Sequence, residues 1–408
     1  MSAEMHTSEA LAPGGPELDE RHRRWRTFIL WAVAFEFAVV AVLLTRELIT
    51  LQPPGLDFLP LWTAWGFAWT APDRIYDFAT ITHAQAWLIP NWPTPRPFAY
   101  PPTALLALAP LGRLPFWPAF GLWTSANLTV FLYAGKQLSS RQRGLAVART
   151  ASQPLVVLCL LVGQATLMAA GLVILGILQL DSRPRLSGVL LAVAIAIKPQ
   201  IALLAPLALF AGGQFKEMAA LAIAGAILAA LTIVFFGAAR WSEWLNCLSA
   251  FEAVVRETPR LMSQVIAPNG FAHDFHFSHA ATILWNAAFG LGGAIIVWRV
   301  FSRDTDATTR AAAILAGGVL MAPYALRFDG AAIVAPAVAM AVDRIALPGW
   351  TLRLFGLLAT VAAAVPYLGG LAVVLFLVIA VAGRASQPGE SSAPCANGGQ
   401  EKVTDNIP

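Results

Sequence analysis

Apolar residues fill long blocks along this chain, from Phe28 to Ala382, and short polar breaks separate them. The blocks predict helices over 27–46, 114–135, 150–162, 164–180, 186–197, 200–211, 216–237, 279–300, 309–324, 329–346, 350–366 and 367–383. Segments of about twelve residues cover only ~18 Å at 1.5 Å per residue. That is short of the ~30 Å hydrocarbon core of a bilayer. Such segments read as half-helices or hairpins that dip in from one side, the interrupted elements from which midplane sites are built. The pattern predicts an all-α polytopic transmembrane bundle of about 10–12 spanning or half-spanning helices.

The sharpest break is Lys198-Pro199-Gln200, inside the otherwise apolar run Leu186–Ala211. A lysine at mid-bilayer costs roughly 2.5–3.5 kcal/mol or more, and such residues mark pathways or sites. Pro199 removes a backbone donor and ends the helix before it. Snorkelling to the interface is the alternative for Lys198, but the Pro and Gln beside it point to a built turn.

Composition agrees with the membrane reading. The chain is 58% hydrophobic and 12% charged, about half the charged fraction of a typical soluble domain, ~25%. Its net charge of +4 is small, and no basic block with interleaved aromatics suggests nucleic acid. Cys159, Cys247 and Cys395 are far apart and form no disulfide framework. Residues 1–26 read as a disordered cytoplasmic N-terminus, 27–383 as the integral-membrane domain and 384–408 as a disordered cytoplasmic tail. Phe28–Leu44 follows Arg21, Arg23, Arg24 and Arg26 without a clear cleavage site and reads as an uncleaved first span. With the N-terminus inside, 18 of the 27 Lys and Arg residues fall on the inner side and 9 on the outer, as the positive-inside rule requires. Two long outer loops result, about 47–113 and 238–278. In the first, Trp62, Trp65 and Trp69 share one helical face, as in a helix lying in the headgroup region. An aromatic belt is the simpler reading of each Trp.

With this topology five polar interruptions fall on the outer side. They are Asp57 after Pro53-Pro54-Gly55, Tyr100-Pro101-Pro102, Gly163-Gln164, Lys198-Pro199-Gln200, and Tyr324 with Arg327-Phe328-Asp329. Each has a plain structural reading. Asp57 is a good helix N-cap, Gly163-Gln164 suits a turn, and Arg327 can pair with Asp329. Together they suggest transfer of a group from a lipid phosphate. An outer carboxylate serves as general base, and cations stabilise charge on the departing phosphate. His273, His276 and His279 are spaced by three, a weak signal for zinc. Glu36 in the first span reads as a proton-handling or a structural carboxylate.

In this order the motifs resemble glycosyltransferase family 87, which includes polyprenol-phosphate-mannose-dependent mannosyltransferases. The matching stretches are Gly55-Leu56-Asp57-Phe58, Ile75-Tyr76-Asp77, Phe98-Ala99-Tyr100-Pro101-Pro102 and Ala109-Pro110-Leu111. Leu122-Trp123 with Asn127, Gly163-Gln164, Lys198-Pro199-Gln200, Ala322-Pro323-Tyr324 and Phe328-Asp329 follow. The family often has Tyr-Asp at the last position, where this chain has Phe328-Asp329. The resemblance implies a GT-C architecture and a plasma-membrane enzyme that takes a sugar from a polyprenyl-phosphate carrier on the outer face, with no nucleotide sugar. Asp57 matches the family's usual base, in the first outer loop. On this reading a lipid or glycan hydroxyl attacks the anomeric carbon with inversion, and no metal or other cofactor is required. Lys198, Arg327 and Arg96 are the candidates for the donor phosphate, and Gln164, Gln200 and Tyr100 for phosphate or sugar. Trp62 and Trp65 would seat the loop helix in the interface or stack on sugar. The alternative is a transporter or flippase of a lipid-linked or anionic substrate, to which interrupted helices are equally suited.

Overall fold

The computed structural model describes residues 54–90, 96–140, 142–322 and 324–343, with isolated positions 38, 41, 42 and 45. The expected span 27–46 is described only at those four positions, and the spans 350–366 and 367–383 and both expected tails lie outside the described residues. Among the described residues the chain is all α. Its only β-type pairing there is an isolated antiparallel bridge between Val265 and Leu326.

The described part of the stretch 47–113 holds α1 (Leu59–Thr70), α2 (Phe78–Gln85) and α3 (Thr103–Leu108). Then come α4 (Phe116–Leu138), α5 (Arg143–Ala151), α6 (Pro154–Val162), α7 (Thr166–Leu178) and α8 (Pro184–Ile197). Next are α9 (Pro199–Ala202), α10 (Ala205–Ala211) and α11 (Phe215–Phe236). The stretch 238–278, expected as a long loop between spans, contains helices. It folds into α12 (Ala239–Glu257), α13 (Pro259–Met262) and α14 (Pro268–Asp274). The chain continues through α15 (His279–Phe301) and α16 (Ala307–Met321), a 3₁₀ turn over Arg327–Ile333, and α17 (Val334–Val342). The expected helix 150–162 is α5 and α6, bent by 57° where Pro154 starts the second.

Among the described residues, α11 and α15 are single helices long and apolar enough to cross a membrane. The best window of α11 has a mean hydropathy of 2.6 and is only 6% buried, so most of its side chains stay exposed or half-buried, as suits a helix with one face toward lipid. It lies against α8, while α4 packs on α7 and α15 on α16. At the centre α16 is buried on every face from Ala311 to Leu320. Small residues let it approach its neighbours closely. A Cβ on Gly318 would sit 2.5 Å from the carbonyl oxygen of Gln200. That contact seats the short helix just after the Lys198 break.

A second core is aromatic. Phe58 packs on Trp65, Phe116, Phe120 and Trp123, joining α1 to the start of α4. The tip between α6 and α7 is wedged into it. Gly163 has φ +77°, and a Cβ there would lie 2.5 Å from the Cβ of Phe58. Both the left-handed backbone and the missing space demand glycine. Gly163→Ala is therefore expected to lower the thermal midpoint in detergent by the equivalent of about 1–3 kcal/mol. An unchanged midpoint would contradict this packing.

Candidate active site

Asp57 is held by the end of α6. The last carbonyls of a helix have no partner within it. Here those of Leu161 and Val162 accept the N–H groups of Gly55 (2.7 Å), Asp57 (2.9 Å) and Phe58 (3.0 Å). The expected capping role of Asp57 is not realised. Phe58 occupies the cap position of α1, and no side chain caps it. The Asp57 carboxylate instead accepts a hydrogen bond of 2.6 Å from Arg96 Nη1 and one of 3.0 Å from Gln164 Nε2. Arg96 is steadied through its backbone, whose carbonyl accepts from Gln85 Nε2 at 3.0 Å.

Gln164 faces the other way with its carbonyl. Its Oε1 accepts from Tyr100 Oη and from Lys198 Nζ, each at 3.0 Å. Lys198 also donates to Thr166 Oγ1 at 2.7 Å and to Asp329 Oδ1 in a close ion pair. An ammonium has three N–H donors, and three protein acceptors take them. Lys198 and Asp329 are almost fully buried, their side chains 4% and 3% exposed, against 16% and 18% for Arg96 and Asp57. The desolvation of Lys198 is thus offset by a paired carboxylate. Asp329 does not need Arg327 for this purpose, because Lys198 and Thr166 meet one oxygen and the Leu326 N–H the other at 3.0 Å.

Neighbouring elements fix the parts. Trp123 Nε1 donates to the Gly163 carbonyl at 2.8 Å, and Asn127 Oδ1 accepts from the Met168 N–H in the first turn of α7. Thr103 Oγ1 donates to the Ala196 carbonyl at 2.8 Å, pinning the start of α3 to the end of α8. Between α13 and α14, Ile266 N–H donates to the Ala325 carbonyl and the Gln264 carbonyl accepts from Arg327 N–H, both at 2.8 Å. Those contacts hold the turn that carries Asp329. Burial, with the carboxylates of Asp57 and Asp329 adding to it, pushes the Tyr100 phenol well above its usual range, so at neutral pH it remains a hydrogen-bond donor.

Asp57, Arg96, Tyr100, Gln164, Lys198, Gln200 and Asp329 line one cavity of about 310 Å³. Its other walls are largely apolar, with Trp244, Leu248, Phe251 and Leu261 from α12 and α13. Three expected site residues are elsewhere. Arg327 is buried (8% exposed) and does not line the cavity. Trp65 is fully buried in the aromatic core, beside Phe58 and Trp123, and does not line the cavity. Trp62 is half-buried, donates from Nε1 to the Leu114 carbonyl at 2.9 Å, and packs on Trp87 and Phe116. The helical spacing of the tryptophans reflects packing of α1. The sequence points to Asp329 through the Phe328-Asp329 motif and as a partner for Arg327, but gives it no role in the site, and Thr166 carries no motif that singles it out.

The fold and the site define a membrane-embedded helical protein with a charged cavity built at its helix breaks. The model of glycosyltransferase family 87 matches residues 98–324, more than half of the chain, and the chain belongs to that family. It is a membrane glycosyltransferase. No curated protein and no solved structure matches it. The matched stretch contains Tyr100, Gln164, Lys198 and Gln200. Asp57, Arg96 and Asp329 lie outside it and reach the same cavity through the fold.

Removing one partner of a buried ion pair typically costs 3–5 kcal/mol, because the other charge is left uncompensated. Lys198→Met and Asp329→Asn are each expected to lower the thermal midpoint in detergent strongly. The double variant should lose clearly less than the two single losses added together. Additive losses would show that the two residues do not act as a pair.

Proposed function

We infer that this glycosyltransferase moves a sugar from a polyprenyl-phosphate donor to a hydroxyl of a lipid or glycan acceptor, with inversion, on the outer face of the plasma membrane. Mannose is favoured by family resemblance. The observation that carries the reading is the junction at Gln164, which places a partly exposed carboxylate, Asp57, one side chain away from a buried ammonium, Lys198, within one cavity.

Asp57 takes the proton of the acceptor hydroxyl. The hydroxyl oxygen bonds to the anomeric carbon from the face opposite the phosphate. The bond from that carbon to the phosphate oxygen breaks, and its electron pair leaves on polyprenyl phosphate. Arg96, a planar multi-donor cation at the cavity wall, is suited to that anion. Lys198 contributes its charge from behind Gln164 rather than as a direct clamp, since its donors are taken up. Gln200 lies where it can hydrogen-bond donor or sugar. The apolar walls from α12 and α13 suit the lipid portion of a substrate.

The charge distribution supports the outer placement. Phe116, at the start of α4, packs on Phe58 beside the site. The helix then runs 23 residues, about 34 Å at 1.5 Å per residue. Beyond its far end, Ser139 Oγ donates to the buried Asp343 at 2.8 Å. Lys136, Arg143 and Arg149 belong to that end, as expected of a cytoplasmic side.

The test is transfer by the purified, reconstituted protein from radiolabelled polyprenyl-phosphate mannose to a membrane-lipid extract. Asp57→Asn is expected to lower turnover by about 10²–10⁴-fold with the thermal midpoint preserved. Turnover close to that of the unaltered protein would remove Asp57 as the base.

A further inference from the structure

The site contains two ion pairs of different character. Lys198 and Asp329 are almost fully buried in the cavity wall, and Lys198 has all three donors satisfied by protein. Arg96 and Asp57 stand at the cavity and keep several times that exposure. In this state the would-be base is engaged by a guanidinium at 2.6 Å. The four charges of Asp57, Arg96, Lys198 and Asp329 sum to zero, so the cavity offers an incoming phosphate no uncompensated cation from this cluster.

We propose that Arg96 is an exchangeable cation. It leaves Asp57 for the donor's phosphate, and the arrival of the donor thereby frees the base. This rests on the donor reading given above. The guanidinium trades one anion for another, and the net negative charge that the phosphate brings to the cluster is left on the freed Asp57 carboxylate. Asp57 keeps the hydrogen bond from Gln164 Nε2, which holds the carboxylate in place once the ion pair has opened. The base is then free only when a sugar donor is in position, which disfavours unproductive proton removal from an acceptor that binds alone. The buried pair cannot take this role without stranding Asp329.

The experiment measures the affinity of polyprenyl phosphate, the leaving group itself, for the full-length protein in nanodiscs. Four versions are compared: unaltered, Asp57→Asn, Arg96→Gln and the double variant. Asp57→Asn removes the anion that competes for Arg96 and is expected to tighten binding about five- to tenfold. Arg96→Gln should weaken it by a similar factor. Those factors correspond to coupling in the range usual for contacting charges. On the Arg96→Gln background, Asp57→Asn should give little or no gain. A gain of the same size there would mean simple repulsion between Asp57 and the phosphate, and would overturn the exchange. Unchanged or weaker binding in Asp57→Asn alone would overturn it as well. If the unaltered protein does not bind polyprenyl phosphate at all, the donor assignment falls first, and the exchange falls with it. Thermal midpoints recorded for all four separate loss of fold from loss of affinity, and Arg96→Lys, which keeps a charge there, should retain part of the gain.

Discussion

The carboxamide of Gln164 is the contact on which the site depends. It has a donor end and an acceptor end, and the surroundings allow one orientation. The NH₂ faces the Asp57 carboxylate, and the carbonyl faces the Lys198 ammonium and the Tyr100 hydroxyl. Reversing it would aim NH₂ at an ammonium and oxygen at a carboxylate. An amide therefore links two charges of opposite sign without neutralising either. A glutamate there would repel Asp57, and a leucine would leave buried polar partners unsatisfied, at a cost of about 1–3 kcal/mol each.

Everything needed to place that amide comes from helix ends. Gly163 closes α6 in the left-handed conformation, so the next residue turns into the cavity. The spare carbonyls of α6 bind the turn that carries Asp57. The break at Lys198-Pro199 ends α8 and sends the lysine toward the same point. The turn before α17 brings Asp329. Unpaired backbone groups are costly inside a membrane unless they meet protein or line a cavity. These interruptions do both, since the same turns that cross-link the helices also present the charges.

Much of the fold was legible in the sequence because apolar blocks report burial or lipid exposure directly. The segments expected at 114–135, 164–180, 186–197, 216–237, 279–300 and 309–324 correspond to α4, α7, α8, α11, α15 and α16. The polar breaks also identified the places where the chain turns. Pairing was less legible. Sequence proximity favoured Arg327 for Asp329, yet Lys198 reaches it from 131 positions away. Helical spacing of Trp62 and Trp65 could not tell an interfacial stripe from a core stripe, since both obey the same periodicity. Polarity hid the helices of 238–278, which are held by contacts to the chain between α1 and α3, such as Trp244 Nε1 to the Ala99 carbonyl and Arg240 to the Pro72 carbonyl.

The most direct test of this account is an experimental structure of the protein in lipid nanodiscs, resolved well enough to place the Gln164 side chain. The account requires the Gln164 carboxamide to lie within hydrogen-bonding distance of both the Asp57 carboxylate and the Lys198 ammonium, with the Lys198–Asp329 pair intact behind it. A Lys198 side chain that faces away from Gln164, or an Asp57 on a different membrane face, would contradict it.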